Sequence, residues 1–336
     1  MKITSYNFKK KIFFIKEMAV PKLKQGEVLI KIKVSALCGT DLHIMAGELI
    51  NKVYNKKEII LGHEWAGIVE SVGKKVYKFK KGDRVFGSPH ISCGRCEFCR
   101  SGHSNWCDKQ GIFGLNLPGS HGEYLVAPQT ALFRLPPGMD FKEGALLGDT
   151  ISIAYHAIKK VGPKMKRVLI LGAGPIGLTL GYLLKTLGVK EIFIMEKEPY
   201  RKRLAQKFFG AKIIEPNNFL NFRRTCDSAF ETSGSLELME YAFHSLRRGG
   251  KLALLSINAK KYPLDTLRLM YRELSIFGCF GYPHEEVPEF IKLLSNKKIK
   301  KDIKKIITHQ FSLADINKAY ELFRNKKCGK VILILE

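Results

Sequence analysis

A buried strand that runs into a glycine-rich turn and restarts as a helix leaves a chain few folds to choose from. Residues 167–178 (RVLILGAGPIGL) have that form. Val168, Leu169, Ile170 and Leu171 make an uninterrupted apolar run, read as a parallel strand covered on both faces. Gly172-Ala173-Gly174-Pro175-Ile176-Gly177 follows, and a helical pattern continues over 178–187. Gly172 allows the tight turn, Gly174 lets backbone N–H groups approach a pyrophosphate, and Gly177 lets the helix pack on the strand. Pro175 and Ile176 complete a loop whose following helix turns its positive end to the phosphates. A glycine pattern alone is weak. Glu196 strengthens it: it closes the next apolar run (192–195), nineteen residues after Gly177, where an acid receives the adenosine ribose hydroxyls. The stretch is therefore read as a dinucleotide site.

The 336 residues, 45% of them apolar, suffice for one large or two ordinary domains. No apolar run approaches the roughly 20 residues of a membrane span. The opening MKITSYNFKKKIFFIKE lacks the apolar stretch and small-residue cleavage site of an export signal, so a cytoplasmic location is expected. The net charge of +26 raises the question of nucleic acid. The lysines, however, are spread along the chain. The one dense run, 297–305 (KKIKKDIKK), carries isoleucines at helical spacing. Lysine enrichment of a proteome or of a heat-adapted protein accounts for such scatter, so no nucleic-acid partner is expected.

Eight cysteines in a chain this long fit no secreted disulfide scaffold, and four of them fall within fifteen residues, Cys93, Cys96, Cys99 and Cys107. Four thiolates on one short loop close tetrahedrally around zinc with no position left for chemistry. A bacterial iron–sulfur pattern would need three residues and then Cys-Pro after the third cysteine. Here seven residues intervene and Asp108 follows Cys107. Earlier, the alternating strand 28–34 (VLIKIKV) leads to Cys38, Thr40, Asp41 and His43, and His63-Glu64 precedes a second strand-like run, 65–72. A thiol, an imidazole and carboxylates at strand boundaries are the ligand types of a catalytic zinc with one open position. A lone Cys or His is more often a buried hydrophobe or a satisfied polar group, and spacing alone leaves both readings open.

The phrases GEVLIKIKVSALCGTDLH, LGHEWAGIVESVG, KGDRVFGSP, CGRCEFCRSGHSNWC, GSHGEYLVAP, GALLGDTISIAYHAI, LILGAGPIG and RGGKLALLSI, taken in order, span the chain nearly end to end. Together they resemble the zinc-dependent medium-chain alcohol dehydrogenase superfamily, in its branch of polyol, threonine and sugar dehydrogenases. The resemblance implies an α/β protein with a GroES-like β-barrel catalytic domain (1–150), a Rossmann domain with a doubly wound parallel sheet (151–283), and a C-terminal return to the first domain (284–336). It implies two zinc ions per subunit. Cys38, His63 and Glu64 match ligands of the catalytic zinc, with Glu64 the movable carboxylate. Asp149 stands where relatives carry Cys or Glu, so Glu64 and Asp149 both remain candidates for the resting ligand. Cys93, Cys96, Cys99 and Cys107 match the structural zinc. Thr40 matches the hydroxyl that takes the substrate proton and His43 the residue that passes it on. Arg201 is placed beside the adenosine end.

Such a metal lowers the pKa of a bound hydroxyl, so the expected reaction is hydride transfer between a small-molecule alcohol and a nicotinamide. Glu196 favours NAD by repelling a 2′-phosphate, while Lys197, Arg201 and Lys202 could instead pair with one and admit NADP. Asp41 is expected to steady His63. A plainer role is open to Thr40 and Asp41, capping a helix that opens at Leu42. A helix over 144–161 ends at Gly162-Pro163, 312–325 reads as an amphipathic helix, and 331–335 as a final strand. Phe86, Phe113 and Asn116 are expected in the pocket wall, and Cys226, Cys279 and Cys328 as isolated thiols. A metal-free quinone or enoyl reductase of the same fold is the nearest alternative, and the Cys38/His63 pair counts against it. A non-enzymatic zinc protein binding nucleic acid would leave the glycine loop without a role. Relatives suggest a homodimer or homotetramer.

Overall fold

The computed structural model describes residues 1–49, 57–258 and 261–336. Two compact units emerge, and the chain crosses between them more than once. The first comprises 1–152, 281–325 and 330–336, the second 153–280 and 326–329.

The core of the first unit is a seven-stranded sheet. In spatial order its strands are Leu132–Arg134, Arg84–Gly87, Glu64–Val72, Glu27–Ala36, Lys330–Ile334 and Ile307–Ser312, with Tyr124–Pro128 also paired to Glu27–Ala36. The Glu27–Ala36 strand organises the unit. Val28, Ile30, Ile32 and Val34 alternate inward, as the period of two in the sequence requires. Its antiparallel partner Glu64–Val72 brings Glu64 level with Ala36. The C-terminal strand Lys330–Ile334 pairs with its other edge, Ile332 opposite Ala36. The ends of three strands from distant parts of the sequence thus meet beside Cys38.

The second unit is built on a six-stranded sheet, wholly parallel: Lys212–Ile213, Glu191–Met195, Arg167–Leu171, Cys226–Glu231, Leu246–Leu254 and Ser275–Gly278. In chain order along the sheet this is 3-2-1-4-5-6, the doubly wound arrangement with its switch point beside the first strand. Val168, Leu169, Ile170 and Leu171 are wholly buried, as a strand covered on both faces demands. The helix after the glycine loop is Pro175–Thr186. It opens three residues before the periodic pattern begins, because proline at the first helical position is preset for the helix and its missing N–H has no partner to lose.

Several local features differ from the sequence reading. The helical pattern over 144–161 is two helices, Phe141–Leu147 and Thr150–Val161, with Asp149 at the break. Both halves bury apolar residues, so the spacing ran through the interruption. The helix after Cys38 is Gly39–Met45, not one opening at Leu42; Asp41 lies inside its first turn and accepts a 2.9 Å bond from the Cys38 N–H. Residues 312–325 form a short 3-10 turn and the helix Ile316–Arg324, and the final strand spans Lys330–Ile334. No helix among the described residues is long and apolar enough to cross a membrane.

Gly172 has φ +96°, and a Cβ on Gly177 would lie 2.1 Å from the Gly172 carbonyl oxygen. Gly177→Ala should therefore force the helix off the strand and cost about 1–3 kcal/mol, read as a lower denaturant midpoint together with weaker binding of the reduced cofactor.

Candidate metal and dinucleotide sites

Two groups of metal-ligating side chains stand out, both in the first unit. In one, the sulfurs of Cys93, Cys96, Cys99 and Cys107 all lie within 4.8 Å of one another. All four are free thiols. The Cys96 and Cys99 sulfurs are 3.4 Å apart, and the Cys93 and Cys96 N–H groups donate to the Cys107 and Cys93 sulfurs at 3.3 and 3.4 Å. Backbone donors hold the Cys93 thiol down at about 6, whereas burial and neighbouring sulfurs push Cys99 up to about 12. A loop that donates amides to its own sulfurs is ready to hold thiolate, the ligand form zinc takes.

In the other group, Cys38, His63, Glu64 and Asp149 are all buried, one donor atom of each within 4.8 Å of the rest. Cys38 caps the Gly39–Met45 helix, His63 and Glu64 enter from the start of the Glu64–Val72 strand, and Asp149 comes from the break between helices. Asp149 Oδ2 lies 3.8 Å from Cys38 Sγ and 3.9 Å from His63 Nε2. Zinc ligands at ordinary bond lengths lie about 3.3–3.7 Å apart in a tetrahedron, so three donors stand near that geometry. Glu64 is also bonded outside the group: Lys330 Nζ donates to its Oε1 and the Thr150 hydroxyl to its Oε2 at 2.9 Å.

The electrostatics follow from this crowding. Burial and the Glu64 charge push Asp149 up to about 7. Burial raises the Cys38 thiol against the pull of His63. Burial opposes a charged His63, but the Cys38 sulfur and the Asp41 carboxylate outweigh it and hold His63 well above the usual imidazole value. Asp41 is held down at about 2: burial raises it, and His63, His121 and the Cys38 N–H together overcome that. A divalent cation supplies the countercharge that such a donor set needs. Asp41 Oδ1 accepts no ordinary hydrogen bond and faces His63 Nδ1 at 3.5 Å, which leaves Nε2 turned toward Cys38 and Asp149. The residues fit a catalytic metal.

Thr40 Oγ1 lies 3.6 Å from Cys38 Sγ. His43, half-buried, pairs through Nδ1 with Glu48 at 2.5 Å. Phe86 and Phe113 are buried in the core, against Phe133 and Trp65, and Asn116 braces its own loop by accepting from the Ile112 N–H. Sequence reasoning did not find Glu48, Thr150, Lys330, His121 or Tyr320. Lys330 opens an apolar strand and Tyr320 sits on the apolar face of a helix, so pattern assigned neither a polar task. Cys226, Cys279 and Cys328 are each buried and belong to neither group.

The second unit carries the dinucleotide residues. Gly174 caps the Pro175–Thr186 helix without a side chain, so the first-turn N–H groups face outward unblocked. Glu196 Oε2 accepts from the Ala173 N–H at 2.7 Å, and its Oε1 from the N–H groups of Lys197 and Glu198, fixing the carboxylate beside the loop. The buried Arg201 places a guanidinium nitrogen 3.7 Å from where a Cβ on Gly174 would sit and donates to the Cys328 carbonyl at 3.0 Å. This cradle fits a dinucleotide phosphate.

A doubly wound parallel sheet with this loop, and a separate unit holding a four-thiol loop and a buried thiol–imidazole–carboxylate group, define a zinc-type nicotinamide-dependent dehydrogenase. Residues 24–137 match the alcohol dehydrogenase GroES-like domain family and residues 175–296 the zinc-binding dehydrogenase family. The chain is 32% identical over 321 residues to the L-threonine 3-dehydrogenase of Colwellia psychrerythraea, covering 93% of each. Its fold is similar to that of galactitol-1-phosphate dehydrogenase from Escherichia coli (TM-score 0.88, 28% identity, 100% of both chains). It is also similar to an Escherichia coli protein solved as a short chain alcohol dehydrogenase with NADH (TM-score 0.89, 27% identity, 100% and 99% covered). The chain belongs to the zinc-binding alcohol dehydrogenase family. It is an oxidoreductase that moves hydride between a hydroxyl-bearing carbon and NAD(P), and the metal-free reductase reading is set aside.

Also in the first unit, His90 is buried against His284 and Tyr282. Burial, then the neighbouring His284, pushes His90 down to about 3. The unfolded chain takes up that proton below about 6.5 and the folded chain does not, so stability is full above pH 6.5 and falls as pH drops toward 3. His90→Phe should flatten the slope of unfolding free energy between pH 6 and 4 by up to about 1.4 kcal/mol per pH unit, checked by urea titrations across that range.

Proposed function

We propose that this enzyme oxidises a secondary alcohol, polyol, sugar or threonine-type hydroxyl, with NAD preferred over NADP and two zinc ions per subunit. The names of the relatives support a hydroxyl-bearing substrate of this kind. The catalytic ion is assigned to Cys38, His63 and Asp149, and the structural ion to Cys93, Cys96, Cys99 and Cys107. The observation carrying the assignment is the different treatment of the two carboxylates. Glu64 has both oxygens occupied by Lys330 and Thr150, while Asp149 Oδ2 faces the thiol and imidazole at 3.8 and 3.9 Å. Glu64 is then the carboxylate in reserve, its approach to the ion competing with the bonds it accepts from Lys330 and Thr150.

Zinc with one open position supplies a lowered hydroxyl pKa. The chain's own residues do the rest. Thr40, close to the Cys38 sulfur, receives the hydroxyl proton at Oγ1, and His43, held by Glu48, passes it outward. Glu196 takes the adenosine ribose hydroxyls and repels a 2′-phosphate. Of the cations that could have admitted that phosphate, Lys197 pairs with Glu237 at 2.7 Å and Lys202 with Glu215 at 2.5 Å, while Arg201 gives its Nε hydrogen to the Cys328 carbonyl. We assign residues 1–150 and 284–336 to catalysis and 151–283 to the cofactor, and infer a cytoplasmic homodimer or homotetramer.

Cys38→Ser should abolish turnover while leaving the circular dichroism spectrum and NAD binding near wild type; most activity retained would end the metal reading. Asp149→Ala should lose one zinc per subunit by metal analysis, and Glu64→Gln should keep both. Cys107→Ser should instead lower the unfolding midpoint or disrupt assembly. Polyols, sugars, threonine and secondary alcohols, each with NAD and NADP, followed at the reduced-cofactor absorbance, identify the substrate.

A further inference from the structure

Behind the metal group lies a chain of buried polar side chains that neither the zinc assignment nor the proton path uses. Tyr320, on the Ile316–Arg324 helix, donates its hydroxyl proton to Asp41 Oδ2 at 2.9 Å. That hydroxyl is 2.8 Å from His121 Nε2. Having one proton, and that one given to Asp41, the phenol oxygen must accept from His121, so Nε2 carries the imidazole hydrogen. His121 Nδ1 is then an acceptor, and the Ser35 hydroxyl donates to it at 2.9 Å. Ser35 in turn accepts from Ser120, 2.6 Å away. Every hydrogen in this row has one direction, and the row ends on Asp41. Ser35, Asp41, Ser120, His121 and Tyr320 are 2% exposed or less.

The end of the row matters because Asp41 divides its oxygens. Oδ2 takes both strong donors, the Cys38 N–H and the Tyr320 hydroxyl. Oδ1 is left to His63 Nδ1 alone. Two fixed donors on one oxygen set the rotation of the carboxylate, and that rotation aims the other oxygen at the imidazole. Tyr320 is itself fixed by stacking on Phe13 at 4.7 Å. Asn317 on the same helix bonds both the N–H and the carbonyl of Phe13. His121 is fixed by a close approach to Gly62, where a Cβ would fall 2.4 Å from Nδ1.

We propose that Tyr320 and His121 are positioning residues for the metal site: acting through Asp41, they orient the His63 ring and so set how tightly the catalytic ion is held. This rests on the reading of His63 as a ligand. It assigns a task to two residues outside the donor group, one of them 279 positions from Asp41 in the sequence. Residues of this kind behind a metal-bound imidazole change metal affinity by about 10–100-fold.

The test uses the full-length enzyme with its zinc exchanged for cobalt(II). The cobalt–thiolate absorption that Cys38→Ser removes reports the catalytic group and not the four-cysteine loop. Its decay in excess EDTA gives the metal-release rate. Tyr320→Phe, which keeps the ring and its stacking, should release cobalt about tenfold faster. His121→Leu should move the rate in the same direction, and His121→Gln, which keeps a side-chain N–H donor, should return it to within twofold of wild type. The double variant Tyr320→Phe/His121→Leu should match Tyr320→Phe alone, because both act on one carboxylate. Thr4→Val removes a buried hydroxyl bonded to the His121 carbonyl but outside the row; it should lower the unfolding midpoint and leave release unchanged. A Tyr320→Phe rate within twofold of wild type, or an equal acceleration by Thr4→Val, overturns the proposal. A cobalt band indifferent to Cys38→Ser overturns the ligand reading beneath it.

Discussion

Two carboxylates, a thiol and an imidazole are buried within 4.8 Å of one another, and each member that ionises there needs positive charge beside it. Much of the first unit can be understood as meeting that condition. Lys330, wholly buried, is committed to Glu64. Asp41 adds a third carboxylate but is satisfied locally by a helix N–H and a phenol. Cys38 and Asp149, both raised by burial, sit on the side to which His63 turns Nε2. A divalent ion held by these residues would complete the charge balance of the group.

The second unit meets a different constraint, bringing a polyanion against backbone. Its solution is subtraction: glycines where side chains would stand, a cap with no capping group, and an acid tied to the loop amide. Glu196 is anchored through three backbone N–H groups, which fix its oxygens beside the glycine loop.

The two sites were legible in the sequence to different degrees, for physical reasons. The glycine loop and the four-cysteine loop are local, so their whole geometry is compressed into a few neighbouring residues and reads directly. Cys38 and His63 were visible as residue types at strand boundaries, but their meeting depends on the antiparallel register that sets Ala36 against Glu64. Lys330, Thr150, Tyr320 and His121 were not visible. Lys330 heads an apolar strand, Tyr320 lies on the apolar face of a helix, Thr150 starts a helix and His121 stands in a loop, and each gains its polar task only from a partner that sequence periodicity does not encode. The break at Asp149 was hidden similarly: apolar spacing continues across it.

The placement of Lys330 bears on how the molecule comes to exist. Its partner Glu64 lies 266 positions earlier, with the entire parallel-sheet unit spelled out in between. During synthesis the N-terminal strands leave the ribosome with a buried acid whose countercharge has not yet been translated. The strand carrying that lysine also fills the open edge beside Ala36. The first unit is therefore begun early and finished last. Its final strand brings the lost sheet edge and the missing ammonium in a single step, so nascent chains remain incomplete until the second unit has emerged.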